Sequence, residues 1–108
     1  MAKFQQPNMA NLMKQAQKMQ QDMQKAQEEI LQMTFESTSG GGAVKVVVSG
    51  DKRLVSLDID DEILTPDDKE MLVDMIIVAV NDAMLKADQT TQERLSRVTG
   101  GMGLPGMM

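Results

Sequence analysis

Apolar residues at Met9, Leu12, Ala16, Met19, Met23, Ala26, Ile30 and Met33 step alternately by three and four, which places them on one face of a helix with a 3.5-residue period. Glutamines and lysines fill most of the positions between them, as in "MKQAQKMQQDMQKAQEEILQM" over 13–33. The pattern predicts a first helix from about residue 9 to 33, capped by Asn8 after Pro7 and roughly 37 Å long at 1.5 Å per residue. Its stripe is mostly Met and Ala, so it buries less area than a Leu/Ile seam and packs more adaptably. The flanking Gln15, Gln20, Gln27, Asp22 and Glu29, with Met13, lack the Glu/Lys pairs that select partners in a zipper. This argues for a contact face and against a long autonomous coiled coil.

The period then shortens to two. "TFEST", "GGAVKVVVS" and "RLVSLDID" carry β-branched alternation, separated by turns at Ser39 to Gly42 and Gly50 to Lys52. They predict three antiparallel strands in a meander. Val44, Val46 and Val48 share a core face, as do Val55, Leu57 and Ile59, while Lys45, Ser56, Asp58 and Asp60 point the other way. Val47 and Leu54 leave that second face only partly polar.

A second helix start follows in "LTPDDKEM", with Thr65 as N-cap, Pro66 in the first turn, and Asp67 and Asp68 at the positive end of the dipole. Leu72, Met75, Ile76, Ala79, Val80, Ala83 and Ala87 form its core stripe, and Met71, Ile77, Val78 and Met84 widen it beyond what one sheet face covers. That excess points to a second chain. The helix is expected to run to about residue 98, where "TGGMGLPGMM" ends it. The expected fold is α+β, with a long N-terminal helix, a three-stranded antiparallel sheet and a long C-terminal helix. Residues 1–98 make a single domain and 99–108 a flexible Gly/Met-rich tail. Both helices are tied to the sheet at their inner ends, so their outer ends are expected to bring Lys14 and Lys18 into one region with Arg94 and Arg97.

Composition removes most chemistry. The 108 residues include no Cys and no His, so thiolate and imidazole catalysis and the usual zinc ligands are excluded. "DIDDE" (Asp58, Asp60, Asp61, Glu62) fails the calcium-loop template, with Ile63 and Lys69 where Gly and Glu belong, and reads as a polar strand end. Gly40 to Gly42 precede a strand and lack the Lys-Ser/Thr of a phosphate loop, so they read as a hairpin turn. No catalytic residue, metal site, cofactor or small-molecule substrate is expected. The methionines could serve copper(I), but their seam spacing favours packing. The longest apolar run is "MIIVAV" at 75–80 and no signal layout precedes it, so no membrane association is expected and the cytoplasm is the expected location.

The chain carries 11 Lys and Arg against 16 Asp and Glu, a global balance that argues against nucleic acid. Its distribution does not. Residues 1–27 hold four lysines (Lys3, Lys14, Lys18, Lys25) and one acid (Asp22), net +3; the remainder holds seven bases and fifteen acids, net −8. A bipolar molecule can present a basic limb from an acidic body, although a solvated helix face accounts for the same lysines. Lys14, Lys18 and Lys25 lie away from the apolar seam, interleaved with Gln17, Gln21 and Gln24. Charge and neutral hydrogen bonds of this kind hold a phosphate backbone without reading bases. With only Phe4 and Phe35 as aromatics, single-strand stacking is disfavoured and duplex DNA is the better ligand.

"NLMKQAQKMQQDMQKAQEEI" (11–30), "SGGGAVKVVVSG" (39–50), "DKEMLVDMIIVAVNDAMLKA" (68–87) and "TGGMGLPGM" (99–107) resemble, in order and spacing, the YbaB/EbfC family of bacterial nucleoid-associated proteins. The resemblance implies a tweezers-like homodimer whose protruding helices bind duplex DNA with little sequence preference, organising the chromosome in the nucleoid. On it, Lys14, Lys18, Lys25, Arg94 and Arg97 are the DNA-binding candidates, and Met19, Met23, Met75, Ile76 and Val80 the dimer and packing candidates. The rival reading is a Met-rich protein-binding adaptor or client clamp.

Overall fold

The structure, a computed structural model, describes residues 9–100. Helix α1 spans Met9–Leu31, strands β1 to β3 span Thr34–Ser39, Val44–Ser49 and Leu54–Ile59, and helix α2 spans Lys69–Gly100. Sheet order is β1-β2-β3, both pairs antiparallel, as the period-two segments predict. Thr99 and Gly100, the first residues of the expected tail, close α2, and the rest of the tail and the Asn8 cap fall outside the described residues.

The core forms where the two periodicities meet. Val44, Val46 and Val48 on β2 and Ala79, Ala83 and Ala87 on α2 have no accessible surface. Alanines four apart make a smooth ridge along one helix face, so α2 lies close against the valines. Phe35 completes the buried cluster, with Met33, Ile63, Leu72, Met75, Ile76, Val80 and Met84 packed around it. Full burial of each valine stabilises the fold by about 2 kcal/mol.

Strand β1 meets α2 differently. Phe35, Ser37 and Ser39 pair with Val48, Val46 and Val44 and so share the core face. Both serine hydroxyls are satisfied by α2: Ser37 Oγ donates to Asp82 Oδ2, and Ser39 Oγ to the Met75 carbonyl at 2.6 Å. A buried hydroxyl costs little once it is so partnered. Lys86 Nζ adds a bond to the Glu36 carbonyl at 2.8 Å. On the solvent face, Glu36 lies 2.9 Å from Lys45 and, chiefly by hydrogen bonding, raises the lysine's pKa above its ordinary value.

Three details differ from the sequence reading. A bulge interrupts β2–β3: Val46 pairs with Leu57 and Val47 with Ser56, but Val48 pairs with Leu54, so Val55 is the additional residue and Leu54 joins the core side. That side of β3 is nonetheless left bare, with Leu54 and Leu57 exposed. Thr65 does not cap the helix backbone; its hydroxyl donates to Asp68 Oδ2 at 3.0 Å, and a 3-10 turn, Pro66–Asp68, leads into α2. Finally, α1 ends at Leu31, because Met33 already turns toward the sheet: its carbonyl accepts from Gly50 N–H at 3.1 Å.

Gly50 is where α1 is pressed onto the sheet. A Cβ at this position would stand 1.7 Å from the Ile30 carbonyl oxygen, and backbone must move to relieve that. Gly41 has open space around it and only its left-handed φ of 70° to lose. Gly50→Ala is therefore expected to cost about 2–3 kcal/mol in urea unfolding, and Gly41→Ala about 1 kcal/mol. Equal costs would show that the α1–turn contact does not constrain the fold.

Candidate nucleic-acid interface

An arm leaves the sheet at the Gly50 end. Ala87 is the last α2 residue in the core cluster, and α1 packs alongside the helix beyond it. Gln27, Ile30 and Leu31 line a cleft of about 510 Å³ with Gly50, Asp88, Thr91 and Leu95, and Glu29 Oε1 meets Arg94 Nη1 at 3.2 Å. The two helices run back to back, but unequally. Only nine residues of α2 follow Thr91, whereas α1 extends twenty-one residues outward from Ile30. About a dozen residues of α1, some 18 Å, thus project past the end of α2.

Burial along α1 follows that overlap. Ala26 and Ile30 are buried, Met19 and Met23 half-buried, and every residue from Met9 to Lys18 is exposed. One apolar stripe is therefore covered at its base and bare at its tip. At 100° per residue, Lys14, Lys18 and Lys25 fall within about 40° of one another, roughly 140° around the helix from that stripe. The spacing of four and seven makes them a line about 16 Å long on the solvent side.

Lys18 is paired with Asp22 at 3.2 Å, both largely exposed, a contact worth little in water. Lys14, Lys25 and Arg97 make no ion pair among the described residues. Arg94 is held by Glu29 at the base of the arm. Since Glu29 lies fifteen residues from Lys14, roughly 22 Å along α1, the structure does not bring Arg94 beside the lysine tip. The outer ends share an arm but not a region, because α2 stops short.

The sequence reading overlooked Lys52 and Arg53, which the β2–β3 turn carries to the base of this arm. Lys52 pairs with Asp88 from a left-handed backbone, φ 65°, and Arg53 with Asp51. Only the topology places that turn next to α1. The remaining candidates divide by location: Met75, Ile76 and Val80 pack on the core, while Met19 and Met23 lie along α1. Met33 and Met84 also pack on the core, whereas Met9, Met13 and Met71 are exposed. Among the described residues, no group of acids is arranged to hold a metal ion, and no helix is long and apolar enough to cross a membrane.

Comparison with known proteins bears on this arm directly, because the family model for the YbaB/EbfC DNA-binding family matches residues 5–102, the helices and sheet together. The chain belongs to that family. A nucleoid-associated protein of Ruminiclostridium cellulolyticum is 52% identical over 101 residues, covering 93% of this chain and 88% of the relative. One from Pelotomaculum thermopropionicum is 52% identical over 100 residues, 93% of this chain and 95% of that one. Among solved structures, the uncharacterized protein HP0035 from Helicobacter pylori is 29% identical, with a TM-score of 0.61 over 72% of this chain and 90% of its own. The YbaB/EbfC match thus spans the sheet and both helices of the arm.

Proposed function

We propose that this YbaB/EbfC chain is a nucleoid-associated protein that grips duplex DNA mainly through backbone phosphates, with little sequence specificity, as a homodimer in the bacterial cytoplasm. The observation that carries the reading is the line of Lys14, Lys18 and Lys25 on a helix that projects into solvent. Ammonium groups on flexible stems neutralise phosphate without the planar fork that reads guanine, which suits positioning over sequence reading. The reading calls for no catalysis. Arg97 near the end of α2 extends the basic surface, and Arg94 joins it only by exchanging Glu29 for phosphate.

The homodimer is supported by the bare side of the sheet. Asp82, Lys86 and Met75 bind β1, so the opposite flank of α2, with Val73, Ile77, Val80 and Met84 at spacings of four, three and four, faces the β3 side of the sheet. Leu54 and Leu57 are exposed on that same side, so flank and strand together offer apolar surface that a second chain can bury. Ile76 and Val80 stand at its edge. The Met-rich adaptor reading is weaker, because Met33, Met75 and Met84 are already committed to the core.

Four measurements test these statements. If three lysines from each protomer release counterions, fluorescence anisotropy with duplex DNA should give a log–log salt slope of about −5. Lys14→Glu with Lys18→Glu should weaken binding more than 10-fold at about 50 mM salt while sedimentation still reports a dimer; unchanged affinity sinks the limb assignment. Asp22→Asn, which frees Lys18, should instead tighten binding about 2- to 5-fold. For the dimer, Leu57→Asp should leave the circular dichroism spectrum intact and sediment as a monomer at micromolar concentration. A persisting dimer would place the interface elsewhere.

A further inference from the structure

The tip of α1 has two opposite faces, and the lysines occupy only one. On the other, Met9, Leu12 and Met13 are 68%, 47% and 59% exposed, with Ala16 continuing the stripe that becomes buried at Ala26 and Ile30. Isolated exposed apolar residues need no explanation, but this row is a continuation of a packed seam in unbroken 3.5-residue register.

We propose that this bare face pairs with the α1 tip of a second copy of the chain, antiparallel and tip to tip. Three features select that occupant. The residues flanking the row are Met13, Gln15 and Gln20, so a second copy brings no like charge to the rim. Lys14 and Lys18 lie roughly 170° around the helix from it and stay in solvent on both copies. The antiparallel register also sets Leu12 against Ala16 and Met9 against Met19, large against small at the centre, whereas a parallel one would set Leu12 on Leu12 and leave Ala16 facing Ala16. The opposed helix dipoles of an antiparallel pair favour this arrangement as well.

Four layers over about 15 Å are too few for a stable coiled coil. The pair therefore forms only at high local concentration, and it turns the two lysine lines outward in opposite directions. Pairing depends on α1 alone. Where the lysine line grips DNA, as proposed above, paired tips would join two duplexes.

The absence of cysteine makes the register directly measurable. Full-length Leu12→Cys and Ala16→Cys variants, both altered only at exposed positions, are oxidised under mild conditions separately and as an equimolar mixture, without DNA. The expected result is disulfide formation at least 10-fold faster in the mixture, all of the excess being the 12–16 product, with a rate that rises with concentration. A preference for 12–12 product would indicate parallel limbs and overturn the proposal. Equal slow rates in all three samples would do so too, showing the face bare or covered by residues 101–108. Because DNA is omitted, failure of the DNA-binding reading leaves this result unaffected.

Discussion

The alanine ridge of α2 against the valine stripe of β2 determines where everything else in the molecule can be. Ala79, Ala83 and Ala87 bring the helix axis so near the sheet that no larger side chain fits between, and the interlock fixes both the direction and the rotation of α2. Rotation decides which flank faces β1, where Ser37 and Ser39 are satisfied, and which flank faces the β3 side with nothing upon it. Direction decides where the excess length goes. A helix of 32 residues is about 48 Å long and a six-residue strand about 20 Å, so α2 must overhang, and the overhang is what α1 packs against. The arm and the uncovered flank are thus two consequences of one contact.

Much of this was legible in the chain, for reasons particular to each element. Valines at alternate positions and alanines at every fourth can satisfy only a strand face and a helix face, and the structure joins them. The three glycines at 40–42 all adopt positive φ, so their reading as a turn rests on the conformational freedom that a missing Cβ gives. Ser37 and Ser39 were not legible as core-face residues, since Ser37 is one of the polar residues of "TFEST" and Ser39 opens the expected turn; their partners are 45 and 36 residues away in sequence. The bulge at Val55 was equally hidden, because alternation continues through it. It trades Val55 for Leu54 on the core side, and both are apolar.

The arm shows the limit most clearly. Periodicity gives each helix its length and its apolar stripe but not the offset at which two helices overlap. That offset is set by Gly50, whose missing side chain lets Ile30 close onto the β2–β3 turn, and by the Glu29–Arg94 pair further out. Expecting Lys14 beside Arg94 assumed helices overlapping to their ends. With α1 projecting some 18 Å further, Lys14 and Lys18 belong to a tip that α2 never reaches, while Lys25 lies alongside its last turns. The lysine line itself was fully legible, because helix phase, unlike overlap, is a local property.

Charge segregation acquires a physical meaning once this geometry is known. Each chain carries a net −5, yet the described tip carries lysines with Asp22 as its nearest acid. A polyanion approaching such a molecule is repelled by the body and attracted by the arm, and at about 0.1 M salt each effect extends only some 10 Å. On the reading proposed above, an arm that projects further than this screening length would meet phosphate before the acidic body is felt. Length then does what a basic overall composition does in other DNA-binding proteins. The thin Met/Ala seam fits the same logic: a tip rich in leucine would hold its neighbours too firmly to let go, while one made of methionine, leucine and a single alanine remains a helix face that can engage or stay free.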